Sequence, residues 1–259
     1  MSTAAVLVTH NSARWIAETL TSVLEQQTAV DRIVIVDDHS TDTTLAIVRE
    51  HAVGRPVEVI ASAAQASDLH TRIASNFVQG VLHADADLVI LGDHDDVWHP
   101  SRVGHQVGLL LQHPQAAMLA SDGRILEQGG PTGRTIRDAF PVPAQFAEWR
   151  SSQQFAYAVR HSVATGGASA LRPNAFPQLQ VPKGWLHDRW WSLAAAANGL
   201  LVVDAAVVID YRVFDGQQVG LATQRQDASA FGWLAHHGRQ AVRSAQRAID
   251  LAPLFMASR

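Results

Sequence analysis

Four short apolar runs, each followed by polar residues and a helical pattern, limit what this chain can fold into. Ala4–Thr9, Ile33–Val36, Val57–Ala61 and Asp87–Leu91 are rich in β-branched residues and short for core helices, which marks them as buried parallel strands. Between them, Ile16, Leu20, Val23 and Leu24 share one helical face, with Asn11 or Ser12 placed to cap it. Ser40 precedes a second helix carrying Leu45, Ile47 and Val48, and Leu69, Ile73, Phe77 and Val81 line a third. Strands alternating with helices predict right-handed crossovers, hence an α/β fold with a mostly parallel central sheet flanked by helices.

The second half is less regular. Residues 121–150 hold Gly123, Gly129, Gly130, Pro131, Gly133, Pro141 and Pro143, and read as a long, mobile loop. A helix is predicted from Leu186 to Asn198, ended by Gly199, followed by a strand over Leu201–Ile209. From Ala228 onward the pattern is a helical tail with Arg239, Arg243 and Arg247 on one face, and with Phe231, Trp233, Leu234, Leu251, Leu254 and Phe255. Such a stripe suits packing on its own domain, a partner copy in a homodimer, or peripheral contact with anionic lipid.

At 259 residues and 47% hydrophobic, the chain can bury one large core or two small ones. A net charge of −4 gives no footprint for a nucleic-acid partner. With no cysteine, disulfides and thiolate metal sites are excluded. The opening MSTAAVLVTH lacks the basic region of a signal peptide, and the longest apolar stretch, Leu193–Ile209, is interrupted by Asn198, Gly199 and Asp204. The expected location is cytoplasmic, at most peripheral on the inner face of the membrane.

In open α/β sheets, ligands bind beyond the carboxyl ends of the strands. Thr9-His10-Asn11 follows the first strand, Asp37-Asp38-His39-Ser40 the second and Asp93-His94-Asp95-Asp96 the fourth, so five acidic side chains share one rim. Crowded carboxylates raise one another's pKa unless a cation offsets them. Mg²⁺ or Mn²⁺ fits, because it takes one or two protein carboxylates and fills its other positions with phosphate oxygens and water. The plainer alternative for each acidic cluster is helix capping, which one Asp would satisfy. No GxGxxG follows the first strand and no GxxxxGK[ST] is present, which excludes the dinucleotide and P-loop folds. None of the 13 histidines has zinc-ligand spacing, and His187 reads as a surface residue. Arg72 and Asn76, on the third helix, either reach a phosphate or face solvent.

VLVTHNSARWIAETLTSVLEQQTAVDRIVIVDDHSTDTT resembles the opening of family 2 glycosyltransferases. LGDHDDVWHPSRV resembles that family's DxDDxW-x-P-x-[KR] segment, most like its rhamnosyltransferase-type members. ATGGASALRPNAF is similar to an acceptor-side segment, and GWLHDRWWSLAAAANG to the segment holding the family's catalytic Asp. The resemblance covers about residues 4 to 220.

It implies a glycosyltransferase-A fold and an inverting transfer from a nucleotide-diphosphate sugar to a hydroxyl of a glycan, lipid-linked or small-molecule acceptor. It implies a catalytic domain over 1–225, with a nucleotide half to about 120 and an acceptor half from about 121, and a tail over 226–259. Thr9, Asn11, Asp37, Asp38, Asp93 and Arg72 would serve the nucleotide and donor, with the member of the Asp37–Asp38 pair that faces the base left open. Asp95 with Asp93 would hold Mn²⁺ or Mg²⁺, and Asp188 would be the general base. Gly166, Gly167, Trp185 and Trp190 would lie on the acceptor side. Relatives carry YRxHxxN-[VI]-x-G near the end of the domain, where this chain has YRVFDGQQVG, with Phe214 at the histidine and Gln217 at the asparagine. Two rival expectations are a catalytically degenerate nucleotide- or glycan-binding relative and a sugar nucleotidyltransferase. The second lacks its Gly-rich, basic loop after the first strand.

Overall fold

A computed structural model describes residues 1–214, 217, 247 and 249–257. The first half alternates as its pattern predicts: β1 (Thr3–Thr9), α1 (Ile16–Leu24), β2 (Arg32–Asp37), α2 (Thr44–His51), β3 (Val57–Ala61), α3 (Leu69–Ala84) and β4 (Leu88–Asp93). Next come β5 (Val97–Trp98), α4 (Arg102–Gln112), β6 (Met118–Glu127), β7 (Gly130–Thr135), α5 (Ile136–Ala139) and α6 (Ser151–Arg160). β8 (Ser169–Leu171), α7 (His187–Ala197) and β9 (Leu201–Arg212) complete the sheet, and residues 249–257 are helical.

The nine strands form one sheet in the order β3-β2-β1-β4-β8-β6-β9-β5, with β7 paired to β6. β3, β2, β1 and β4 are parallel, whereas β8 runs antiparallel between β4 and β6. Parallel register therefore governs the first half of the chain, and the second half is mixed. Alternate side chains of each strand feed opposite faces. Ala4 and Val6 join Val34, Val36 and Leu91 against α3, α6 and α7, while Ala5 and Leu7 join Ile33, Ile35 and Ile90 against α1, α2 and α4.

Residues 121–150 depart from the loop expectation. β6 and β7 make a hairpin in which Glu127 faces Gly130, so Gln128 and Gly129 form its turn. Gly130 and Gly133 hold φ of +106° and +75°, the left-handed region that glycine enters without strain. α1 also begins later than expected. Neither Asn11 nor Ser12 caps it by side chain; the Ser12 carbonyl accepts the Trp15 and Ile16 amides instead. No helix among the described residues is long and apolar enough to cross a membrane.

Candidate active site

The loop after β1 folds onto the loop after β2. Asn11 adopts φ +47° and its Oδ1 accepts the Thr41 amide at 2.8 Å, while its own amide donates to Ser40 Oγ at 3.0 Å. Thr9 is fully buried and donates to Ser12 Oγ at 2.8 Å, so its side chain shapes the loop from within. Its carbonyl accepts the Asp38 amide, which sets the direction of the second strand end.

Asp37 and Asp38 are both buried and face different partners. Asp37 Oδ2 accepts the Ser40 amide at 3.1 Å, and its Oδ1 is buried without a hydrogen bond. Asp38 Oδ2 lies 2.9 Å from Arg72 Nε. Arg72 reaches it because Asp68 caps α3 through the Thr71 amide, which starts the helix beside the β2 end. Asn76 sits one turn deeper, fully buried rather than on a solvated face, and accepts from Ser62 Oγ.

The acidic loop after β4 lies between Trp98 and the Gly166–Gly167 turn. Asp95 and Asp96 are buried, and Asp93 is half-buried. Burial, with Asp95 and then Asp188 close by, pushes the Asp93 carboxyl up to about 7. Burial, then Asp95 and Asp93, also drives Asp96 well above the usual carboxylate range. Asp96 Oδ1 accepts the Arg212 amide at 2.9 Å, and its Oδ2 is buried with no hydrogen bond. An orphaned carboxylate oxygen among crowded acids is the chemistry a hard divalent cation satisfies. Among the described residues no three His, Asp or Glu side chains close into a metal cage. The arrangement fits an ion held by one or two carboxylates that relies on a phosphate ligand for the rest.

Two arginines stabilise this loop. Arg102 is fully buried, stacks 3.9 Å over the Trp98 ring and donates from Nη2 to the Leu91 carbonyl at 2.7 Å. Burial lowers its pKa to about 9 even though Asp96 and Asp93 oppose the shift. Arg212, at the end of β9, donates from Nε to the Asp95 carbonyl at 2.8 Å. The basic position of the DxDDxW-x-P-x-[KR] pattern pointed to Arg102. Only the pairing of β9 with β5 places Arg212 here.

The segment expected on the acceptor side meets the acids through its glycine turn. A Cβ on Gly167 would come 2.5 Å from Asp96 Oδ2 and 2.9 Å from Asp93 Oδ2, so only glycine lets the turn approach. The neighbouring Gly166 amide donates to Asp188 Oδ2 at 3.0 Å. Asp188 is half-buried in the first turn of α7. Arg189 donates to the Val159 and His161 carbonyls, tying α7 to the end of α6.

His187 is not a surface residue. It is 4% exposed and stacks on Phe77 at 3.7 Å between ring centroids. Gly166 abuts its ring, since a Cβ there would lie 2.5 Å from Nε2. Trp185 and Trp190 are buried, with ring centroids 5.5 Å apart. Trp185 Nε1 donates to Asp250 Oδ2 at 2.8 Å, and Arg247 lies 5.1 Å over its ring. Arg247 thus faces the chain's own domain, while Arg239 and Arg243 of the expected basic stripe, with Phe231, Trp233 and Leu234, lie outside the described residues. Phe214 packs on Trp15 at 5.5 Å, and Asp215 lies outside the described residues.

A family model described as Glycosyl transferase family 2 matches residues 4–179. Among curated proteins, the chain is 26% identical to EpsE of Bacillus subtilis over 141 residues, covering 54% of this chain and 49% of that protein. It is 28% identical over 110 residues to the dTDP-rhamnosyl transferase RfbG of Shigella flexneri, covering 40% of this chain and 37% of that one. The chain therefore spans about half the length, or less, of these relatives. Among solved structures it is similar to S. aureus TarS 1-349 in complex with UDP-GlcNAc, with a TM-score of 0.62, 17% identity, and 85% of this chain and 62% of that chain covered. It is also similar to the mannosyltransferase PcManGT from Pyrobaculum calidifontis in complex with GDP-Man and Mn²⁺, with a TM-score of 0.60, 19% identity, and 83% and 58% covered. At these identities the likeness shows a shared fold.

Proposed function

Because this chain belongs to glycosyl transferase family 2 and has the glycosyltransferase-A fold, we propose that it transfers a sugar from a nucleotide-diphosphate donor to an acceptor hydroxyl with inversion. One observation carries the reading. The Gly166–Gly167 turn touches the Asp188 carboxylate through its first residue and the Asp93 and Asp96 carboxylates through its second. A base and a donor-side acidic loop therefore share one two-residue hinge.

In this reading, residues to about 120 bind the donor and residues from about 121 to 225 the acceptor, with 226–259 as a tail. Asn11, Asp37 and the Asp38–Arg72 pair line the place for base and ribose. Thr9 shapes that loop. Asp95 and Asp93 would hold Mn²⁺ or Mg²⁺, and the ion, when bound, offsets the charge that builds on the departing diphosphate. Asp188 takes the proton from the acceptor hydroxyl as its oxygen attacks the anomeric carbon opposite the leaving group. The Gly166 amide holds that carboxylate in place, and Arg189 fixes the first turn of α7 beneath it. The acceptor is a glycan, a lipid-linked sugar or a small glycosylated molecule.

The test joins binding to turnover. The protein is screened by thermal shift against UDP, dTDP, GDP and CDP with and without Mn²⁺, then assayed for transfer with the nucleotide sugar so identified. Asp188→Asn is expected to keep the nucleotide shift and to lose at least about a hundredfold in transfer. Full transfer by Asp188→Asn would remove Asp188 from the base role.

A further inference from the structure

We infer that Arg212 is a positioning residue that locks the acidic loop and the donor loop into one unit, and so sets the affinity of the loop for a divalent cation. The inference rests on the metal-assisted reading above. Arg212 ends β9, and β9 pairs with β5, the strand that directly follows the acidic loop. From that place it makes four separate contacts. Its backbone amide donates to Asp96 Oδ1 at 2.9 Å. Its Nε donates to the Asp95 carbonyl at 2.8 Å. Its Nη2 donates to Glu18 Oε2 on α1 at 2.6 Å, and its guanidinium carbon lies 4.2 Å from the centre of the Trp15 ring.

The choice of atoms carries the argument. Arg212 holds Asp95 by its carbonyl and not by its carboxylate. The loop is fixed while the acidic group stays available to a cation. A loose guanidinium beside Asp95 and Asp96 would compete for those carboxylates as a cation itself. Glu18 and the Trp15 face keep it on the outer side. Trp15 belongs to the chain between β1 and α1, so the same side chain braces the donor loop. Phe214 packs on the far part of this cluster, and Gln217 donates back to the Arg212 carbonyl at 3.2 Å. The two positions where this chain departs from its relatives' pattern thus both support Arg212.

A planar fork with five donors can make the three side-chain contacts together, and a lysine ammonium cannot, while the backbone bond to Asp96 is kept in either case. The loss on Arg212→Lys therefore falls on cation affinity more than on folding. The measurement is a titration of the full chain with Mn²⁺, alone and with saturating UDP (or whichever diphosphate the thermal screen selects), reading free Mn²⁺ by its electron paramagnetic resonance signal against a protein-free control, beside a thermal melt. Arg212→Lys is expected to weaken Mn²⁺ binding at least tenfold while melting within a few degrees of the unsubstituted protein. Glu18→Gln, an exposed change, is expected to weaken it two- to fivefold by freeing the guanidinium. Arg124→Lys, which alters the neighbouring Asp210 pair without touching the loop, is expected to stay within twofold. Equal Mn²⁺ affinity in a folded Arg212→Lys, or an equal loss in Arg124→Lys, overturns the inference. Absence of Mn²⁺ binding in the unsubstituted protein both with and without the nucleoside diphosphate overturns it together with the metal-assisted reading, so the two failures are told apart.

Discussion

Gly167 shows how a residue with no side chain controls the chemistry proposed here. Its backbone passes between Asp93 and Asp96, and a methyl group would fall 2.5 Å from Asp96 Oδ2. The obstacle is a buried carboxylate, not the end of a flexible chain, so the turn itself must move. Gly167→Ala is therefore expected to abolish the Mn²⁺-dependent nucleotide shift and to destabilise the fold by about 1–3 kcal/mol, the usual range for overpacking. A melt with and without nucleotide and Mn²⁺ checks both. An unchanged shift would mean that the turn does not set the acidic loop. The acids themselves were legible in the sequence, since polar residues after β-branched runs are placed on one rim by the sheet. The glycine turn was legible only through the family pattern, because spacing says nothing about which backbone approaches which carboxylate. His187 was misread for a related reason. Its chemistry suits a surface, and only Phe77 of α3, far away in sequence, gives it a buried seat.

Between elements, that same histidine fills the seam where α7 meets α3. Burial is the main cause that lowers its pKa from 6.5 to about 4, and Asp188 opposes the shift. The folded imidazole is thus neutral where the unfolded one begins to take up a proton. The unfolded state binds more protons between about pH 6.5 and pH 4, so the contribution is fully present above pH 6.5 and is lost as pH falls through that window. From pH 7 to pH 5 the loss is about 2 kcal/mol. His187→Phe keeps the stacked ring and removes the titration, so its urea midpoint is expected to fall less over that interval than that of the unsubstituted protein. Equal pH slopes would show that His187 is hydrated in the folded state. At this scale the alternation of strands and helices was readable to within a few residues through β4, because the buried strands β1, β2 and β4 leave an unmixed apolar signal; β3, read as a buried strand, is instead a largely exposed strand at the sheet edge. The β6–β7 hairpin was not. Its glycines serve the turn at 128–130 and the close approach of Gly123 to Ile136 and Ile209. In sequence those uses look the same as a loop.

Across the whole molecule, the far end of the chain returns to the helix that carries the proposed base. Leu251 and Leu254 pack against the core shared by α3, α6 and α7. Asp250 accepts the indole proton of Trp185, three residues before Asp188. The sequence left the tail open to packing on its own domain, on a partner copy or on anionic lipid, and composition could not reveal that one of its acids closes a buried donor. That contact ties the tail to the segment that leads into the helix of the proposed base. Asp250→Ala leaves the Trp185 N–H either orphaned in the core, at about 1–3 kcal/mol, or solvated by release of residues 249–257. Either route lowers the melting temperature, by roughly 2–4 °C for each kcal/mol in a chain of this size. The routes differ in acrylamide quenching of tryptophan fluorescence. Release exposes Trp185, which is 5% exposed when covered, and raises quenching, while an orphaned indole stays protected. The release route is expected, because water offers the indole a partner and Leu251 and Leu254, among the described residues of the tail, are only partly buried against the core. A melt and quenching profile both unchanged by Asp250→Ala would mean that the tail is held without this bond, and that the helix of the proposed base is stable independently of it.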